Sequence, residues 1–233
     1  MGRVIITGAS SGLGSVIAKS LSLLGYKTII VARSMESLDS IAKEINLQGG
    51  DCVPLAADLA CRKEIDRLRN KIKQFDDISI LINNAGCGFF SEVELMALDD
   101  WDQQFNVNVR AAFLLSQMVL PQMKKNKRGI IVFINSIAGL KNFTHAAGYV
   151  ASKFALRGFA GSLREELREY GIKVMSVFPG AIDTPFWDKV DNSFDRKEML
   201  NLDDCAKMIV DNMLSPGNLV VEDLLVRRIA GDF

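Results

Sequence analysis

The chain has 233 residues, 48% of them hydrophobic and 24% charged, enough apolar material for one globular domain with a sizeable core. Its 28 lysines and arginines balance 28 acidic residues, so no net field favours nucleic acid or an anionic membrane, and a small-molecule partner is expected. Cys52, Cys61, Cys87 and Cys205 are scattered without a C-x-x-C pair and there is one histidine, so reduced thiols are expected and no metal site.

Taken in chain order, short β-branched runs alternate with helix-length segments. The first strand is read at 3–7 with no signal-peptide pattern ahead of it, and the longest apolar run, 130–140, is interrupted and shorter than the roughly 20 residues of a membrane span. The chain is therefore expected to be cytoplasmic, without a membrane partner. Strand 3–7 runs into Thr7, Gly8, Ala9, Ser10, Ser11, Gly12, Leu13 and Gly14, and a helix follows at 13–24. Glycines allow a tight turn and a close backbone approach to phosphate, and a helix N-terminus adds unpaired N–H groups and a positive dipole end. Alone, such a turn is as readily an ordinary loop; its place between the first strand and first helix favours a cofactor cradle.

Strand 27–32 ends at Ala32 and Arg33, where a dinucleotide fold reads the ribose, about 20 residues past the glycines. No acid stands there to accept from a 2′-hydroxyl, Ala32 leaves room, and the Arg33 guanidinium suits a 2′-phosphate. NADP(H) is thus expected ahead of NAD(H), although Arg33 by itself could be a loop arginine. Helix 37–47, strand 51–56, helix 62–75, strand 78–82 and a long helix at 99–125 come next. Strand 129–135 leads to Ser136, helix 149–170 opens with Tyr149 and Lys153, and strand 172–178 leads into an irregular stretch at 184–200. Helix 203–214 and strand 218–226 finish the chain. Strands this uniformly apolar are covered on both faces. The alternation predicts a single-domain, Rossmann-like doubly wound α/β fold over residues 1–233, with about seven parallel strands, helices on both faces and ligands outside the strands' carboxyl ends.

Tyr149 and Lys153 stand four residues apart, on one face of a helix. A cation beside a phenol favours the phenolate, so the tyrosine pKa is expected to fall from about 10 toward neutrality. Such a phenol could protonate a carbonyl oxygen as hydride reaches its carbon, or deprotonate an alcohol. A hydroxyl at Ser136 could hold the same oxygen, though alone it reads as a strand-end cap.

Together these motifs resemble the short-chain dehydrogenase/reductase family: Thr7-Gly8 through Gly12 and Gly14, Asn83-Asn84-Ala85-Gly86, Ser136 placed 13 residues before Tyr149, and Tyr149-x-x-x-Lys153. The resemblance implies catalytic roles for Asn108, Ser136, Tyr149 and Lys153, with Asn106 the competing choice for Asn108, whose carbonyl would hold a relay water behind the lysine. It also implies a cofactor held by Gly8, Ser10, Ser11, Gly12, Leu13, Gly14 and Arg33, by Asp58 and Leu59 at the adenine, and by Asn83, Ala85 and Gly86. Asn84 reads as structural. Tyr149 and Lys153 would touch the cofactor as well, and Pro179, Gly180, Ile182 and Thr184 would flank the nicotinamide; Thr184 before Pro185 is equally a helix N-cap. The expected activity is NADP(H)-dependent hydride transfer to or from a carbonyl or secondary alcohol. The alternative is a catalytically weak NADP(H)-binding regulator on the same fold.

The segment 184–200 is expected to cover the substrate with Phe186, Trp187 and Phe194. Cys87 and Phe89 could edge the pocket. His145 reads as a turn residue, Trp101 as core or subunit contact, and the basic run 124–128 as a solvated helix end rather than a nucleic-acid patch. The resemblance further implies a homodimer or homotetramer assembled through the helices at 99–125 and 149–170.

Overall fold

The structure, a computed structural model, describes residues 1–190 and 195–231. Seven strands form one sheet: β1 (Arg3–Thr7), β2 (Lys27–Ala32), β3 (Cys52–Ala56), β4 (Ile78–Asn83), β5 (Gly129–Ile134), β6 (Ile172–Pro179) and β7 (Asp223–Val226). Their order is β3-β2-β1-β4-β5-β6-β7, and every pairing is parallel. The helices are α1 (Gly12–Leu23), α2 (Met35–Leu47), α3 (Arg62–Ile72), α4 (Leu98–Phe105), α5 (Ala111–Asn126), α6 (Ala147–Leu167) and α7 (Leu202–Met213).

Side chains alternate across a strand, and here both faces are apolar. Val4, Ile6 and Ile30 pack against Ile17 and Leu21 of α1, Leu38 of α2 and Ile209 of α7. Ile5, Ile29 and Leu81 face the other way, against Leu68 of α3, Leu115 and Val119 of α5, and Leu156 of α6. That division is why the strands read as unbroken hydrophobic runs. Among the described residues, no helix is long and apolar enough to cross a membrane.

Two elements depart from the sequence reading. The final strand is shorter than expected, because β7 pairs only with Ser176–Pro179 at the end of β6. The long helix is divided, with a five-residue π-helical segment, Asn106–Arg110, between α4 and α5. A π turn widens the helix and displaces the side chains on either side of it, and such turns concentrate at functional sites.

The strand order reverses between β1 and β4, and a dense set of hydrogen bonds closes that point. The Thr7 hydroxyl donates to Ile82 O at 3.3 Å and accepts from the Asn84 and Ala85 N–H groups, each at 3.0 Å. The Asn84 amide donates to Thr7 O at 2.8 Å and to Gly8 O at 3.1 Å. Asn84 is therefore structural, as expected. Helix α1 begins directly against this clasp: a Cβ on Gly14 would lie 2.5 Å from Asn84 Nδ2 and 2.6 Å from Gly8 O. Gly14→Ala should accordingly cost about 1–3 kcal/mol of folding free energy through forced displacement of α1. Urea unfolding of the two proteins measures this, and an unchanged midpoint would mean that α1 is not pressed on the clasp.

Candidate active site

The candidate residues gather at the carboxyl ends of β4, β5 and β6, where α6 passes beneath the loops. Tyr149 and Lys153 lie one helical turn apart on α6. Ser136 follows β5 and heads a short 3₁₀ turn, Ile137–Gly139, its hydroxyl accepting from the Ala138 N–H at 3.1 Å. The same hydroxyl stands near enough to the Tyr149 phenol to pull its pKa down. The cap reading of Ser136 is the one its hydrogen bond displays.

Three polar side chains fix these groups to one another. Asn135 accepts from the Ser136 N–H at 2.9 Å and donates to Lys153 O at 3.1 Å, tying the end of β5 to α6. Asn108, buried in the π-helical segment, accepts from the Cys87 N–H and donates to Cys87 O, each at 2.9 Å. Its amide also donates to Ser152 Oγ at 2.9 Å, and Ser152 in turn donates to Tyr149 O at 2.8 Å. Asn135 and Ser152 were not singled out by sequence, because their importance lies in partners 18 and 44 residues away.

Burial governs the titration of the central pair. The Tyr149 phenol is pushed up to about 12 by burial, against the downward pull of the Ser136 hydroxyl, with the neighbouring Cys87 adding a further rise. The Lys153 ammonium is pushed down to about 8, again by burial. It donates to Ile134 O at 3.1 Å and sits 5.6 Å from the centre of the Tyr149 ring. The expected lowering of the phenol pKa is thus reversed. At neutral pH Tyr149 is protonated, which suits a proton donor; to act as a base it needs more positive charge than Lys153 supplies.

The approach to the phenol is aromatic. Phe90 lies 5.5 Å from the Tyr149 ring and Phe186 lies 5.9 Å from it, centre to centre. Phe90 faces the Tyr149 ring, and the neighbouring Phe89 N–H donates to the buried Gln104 Oε1 at 3.1 Å. Trp187 packs edge-on to Phe186 at 5.3 Å and donates to Ile182 O at 3.1 Å. Phe194 lies outside the described residues. Cys87 edges the site as expected, its thiol pushed up to about 11 by burial and directed to Gln103 O at 3.7 Å. His145 occupies an exposed turn in the left-handed region, at φ 58°. Arg196, unforeseen, binds Asp183 at 2.7 Å, Thr184 O at 2.9 Å, and Asp188, and so fastens the segment that carries Phe186.

The expected cofactor residues line a second region, beside the first. Gly8 and Gly12 take left-handed conformations at φ 64° and 54°, and a Cβ on Gly12 would reach Thr184 at 3.4 Å, so the glycine turn faces the loop after β6. Ser11 stands at the N-cap of α1 without a capping hydrogen bond from its side chain, and Thr184 does the same ahead of Pro185. Ser10 is half-buried and Leu13 buried at the start of the turn and helix. Asn83 is buried at the end of β4 with neither its Nδ2 nor its Oδ1 partnered. A buried amide of that kind is open to a ligand or a water. A Cβ on Gly86 would lie 3.4 Å from Asn108 Oδ1 and 3.6 Å from Lys153 Nζ, placing the Asn83–Gly86 turn between the two regions. Ala85 is held there by Thr7.

Farther out, Arg33 is exposed beyond β2 and forms no hydrogen bond or ion pair among the described residues. Asp58 accepts from the Ala60 N–H at 2.9 Å, and Leu59 is buried beside it. Pro179 ends β6, Gly180 donates to Val226 O at 2.8 Å, and Ile182 bridges to Leu200. The left-handed turn, the helix start and the orphaned amide together fit a dinucleotide, its phosphates on the glycines. No group of His, Cys, Asp and Glu among the described residues could hold a metal ion.

Comparison with known proteins agrees with this arrangement. The family described as short chain dehydrogenase matches residues 3–194. A sepiapterin reductase of Chlorobaculum tepidum is 31% identical, with 98% of this chain and 97% of the relative covered. A metagenomic short-chain oxidoreductase solved in complex with NADP is 31% identical with a TM-score of 0.85, covering 97% of this chain and 96% of that one. An alcohol dehydrogenase from the archaeon Thermococcus sibiricus, complexed with 5-hydroxy-NADP, is 26% identical with a TM-score of 0.90, covering 98% and 97%.

The buried ammonium makes stability depend on pH in a definite direction. Lys153 titrates near 8 in the folded protein and near its usual 10.5 when unfolded, so the unfolded chain holds the proton more tightly. Stability contributed by this group is present at high pH and lost as pH falls through 8. Lys153→Met should raise the unfolding free energy at pH 7 by about 1–3 kcal/mol in the cofactor-free protein. It should also flatten the rise seen between pH 8 and 10 in the parent. Urea unfolding at pH 7, 8, 9 and 10 tests both, and parallel pH profiles for the two proteins would refute the assignment.

Proposed function

Because the chain belongs to the short-chain dehydrogenase family, and so to a family of oxidoreductases, we propose that it is an NADP(H)-dependent carbonyl reductase with Tyr149 as proton donor. The observation that carries this reading is the buried Lys153 ammonium 5.6 Å from the Tyr149 ring, one turn along the same helix, with Ser136 beside the phenol. When bound, the nicotinamide cofactor supplies the hydride, or accepts it in the reverse direction.

The chain's own residues handle the oxygen. Ser136 and Tyr149 stand side by side, so a carbonyl oxygen bound between them would accept from both hydroxyls, which would position its carbon. Tyr149, protonated at neutral pH, gives its proton to that oxygen as the carbon is reduced. The negative charge left on the phenol is stabilised by Ser136 and by the nearby Lys153 ammonium. Asn108 holds the Cys87 backbone and, through Ser152, the turn of α6 that carries Tyr149. Its side chain is fully engaged in this, which leaves the relay expected of it to its main-chain carbonyl.

Gly8, Ser10, Ser11, Gly12, Leu13 and Gly14 would hold the cofactor phosphates, Asp58 and Leu59 the adenine, and Asn83, Ala85 and Gly86 the central portion. Pro179, Gly180, Ile182 and Thr184 would flank the nicotinamide. Ala32 followed by the unpaired Arg33 supports NADP(H) over NAD(H), as do the NADP-bound neighbours. Phe113 on α5 and Phe154 on α6 are exposed on the two long helices, which supports a homodimer or homotetramer assembled there.

Two measurements test the reading. Tyr149→Phe should lower kcat for a ketone by about 10²- to 10⁴-fold while NADPH affinity changes little, and retained turnover would remove the phenol from the mechanism. Fluorescence titration should give tighter binding of NADPH than NADH. Arg33→Ala should then weaken NADPH by about tenfold or more without a comparable effect on NADH. Tighter binding of NADH by the parent protein would overturn the cofactor assignment.

A further inference from the structure

Lys153 is tied twice to the end of β5. Its ammonium donates to Ile134 O at 3.1 Å, and its main-chain carbonyl accepts from the amide of the next residue along, Asn135, also at 3.1 Å. The same Asn135 side chain accepts from the Ser136 N–H at 2.9 Å. Three consecutive residues, Ile134, Asn135 and Ser136, thus carry both ties to the lysine and the hydroxyl that stands beside the phenol.

The amide is fixed in direction. One partner is a donor and the other an acceptor, so its oxygen must face Ser136 and its nitrogen Lys153. Asn135 is 3% exposed, and its own N–H donates to Val177 O at 2.8 Å, which keeps its backbone in line with β6. The turn Ile137–Gly139 closes over it: a Cβ on Gly139 would stand 2.6 Å from Asn135 Oδ1 and 3.0 Å from Lys153 O. Glycine at 139 lets the turn lie on the amide while α6 passes close by.

The two ties differ in kind. The first is made by an ammonium that exchanges its proton, since burial holds Lys153 down at about 8. Facing that ammonium are the Tyr149 phenol on its own helix and the Cys87 thiol on the loop after β4, which titrate as well. The second tie joins an amide to a carbonyl. Neither of these titrates, so the bond persists whatever charge the ammonium carries. Proton delivery changes the charges around the phenol, and a site that performs it needs a joint between Ser136 and α6 that those changes leave alone.

We propose that Asn135 is a positioning residue for proton delivery: its carboxamide joins the Ser136 main chain to the Lys153 main chain and so holds serine hydroxyl, phenol and ammonium in one register through changes of charge. The proposal rests on the reading of Tyr149 as the proton donor.

The test sets Asn135→Ala and the nearly isosteric Asn135→Asp beside a control with the same kind of bridge elsewhere. Asn46 accepts from the Cys52 N–H at 2.8 Å and donates to Cys52 O at 3.3 Å, between α2 and β3, so Asn46→Ala removes an equivalent amide bridge away from the site. Turnover is measured with NADPH and two neutral probes, acetophenone and ethyl 3-oxobutanoate. Urea unfolding of the cofactor-free proteins is followed from pH 7 to pH 10. Asn135→Ala should lower kcat by about tenfold or more, with KM and NADPH affinity changed less than about threefold, while Asn46→Ala leaves kcat within about twofold. In the Asn135→Asp protein a carboxyl can donate to Lys153 O only when protonated. Its kcat relative to the parent should therefore fall by about threefold or more between pH 5.5 and pH 8. Freed from one of its two ties, the Lys153 ammonium takes up water and its pKa returns toward 10.5. The gain in stability between pH 8 and pH 10 should then shrink by about half or more in Asn135→Ala and persist in Asn46→Ala. A kcat within about threefold of the parent in Asn135→Ala, or a stability profile parallel to the parent's, would overturn the proposal. Asn135→Asp carries the same test if Asn135→Ala does not fold. If the parent turns over neither probe, or Tyr149→Phe retains turnover, the reading of the phenol fails, and the stability profiles alone decide whether Asn135 places Lys153.

Discussion

The clasp between Thr7 and Asn84 is the constraint on which the site depends. In a parallel sheet wound outward from its middle, the two strands at the reversal send their helices to opposite faces, and a crevice opens at their carboxyl ends. The crevice exposes main-chain groups that the sheet itself no longer pairs. One threonine hydroxyl and one asparagine amide bind the chain after β1 to the chain after β4, and every bond in that set is internal to the two turns. The glycine turn keeps its left-handed Gly8 because its carbonyl is held, and α1 can start hard against the turn because Gly14 offers no side chain. The Asn83–Gly86 turn, fixed by the same bonds, then presents Gly86 to Asn108 and Lys153. A single local arrangement thus sets the glycine turn and the floor of the candidate site at once, and couples their positions.

A second constraint is electrostatic. Burial acts on Tyr149 and Lys153 in the same sense, driving each toward its neutral form: phenol pushed up to about 12, ammonium down to about 8. Left to burial alone the pair would be an inert phenol beside a neutral amine. What opposes this is local. Ser136 pulls the phenol toward its anion, Cys87 pulls Lys153 toward its charged form, and Ile134 O accepts from the ammonium. An arrangement balanced in this way is poised for proton delivery at neutral pH, where the phenol is full and the amine still largely charged. Oxidation of an alcohol asks the phenol to start as the anion, which requires additional positive charge in the site. With Tyr149 as the proposed proton donor, these residues would therefore favour reduction.

The fold was legible to an unusual degree because nearly every strand is apolar on both faces, so that periodicity, length and flanking glycines all pointed one way. Arg3–Thr7 and Lys27–Ala32 match the reading at both ends. The four candidate positions, Asn108, Ser136, Tyr149 and Lys153, come together in the structure, since their spacing along the chain follows from which strand ends and helix faces they occupy. Other features were not legible. Nothing in Asn106-Val107-Asn108-Val109-Arg110 distinguishes a π turn from an α-helical one, because the pattern of apolar and polar residues suits both. Ser152, Gln104 and Arg196 act on partners that only folding brings near. Phe90 meets Tyr149 on a loop whose Phe89 N–H is held by Gln104 from α4. The Tyr149 pKa went the wrong way because charge is written in sequence and burial is not. In each case the missing quantity was a three-dimensional contact rather than a residue type.

The parts of the site also differ in how they are held, and the difference follows their tasks. Ser136, Tyr149, Lys153 and Asn108 stand on a strand end, a helix and a π turn, with Asn135 and Ser152 joining these elements through buried hydrogen bonds. Groups that must place a proton to within tenths of an ångström belong on such elements. Phe90 and Phe186 stand on loops, each fastened at one or two points from behind, Phe90 by buried amides and Phe186 by a surface guanidinium. An exposed ion pair contributes less than a buried amide pair, being weakened by solvent and salt. The Phe186 loop is therefore the more easily moved of the two, and the Phe90 loop the better fixed.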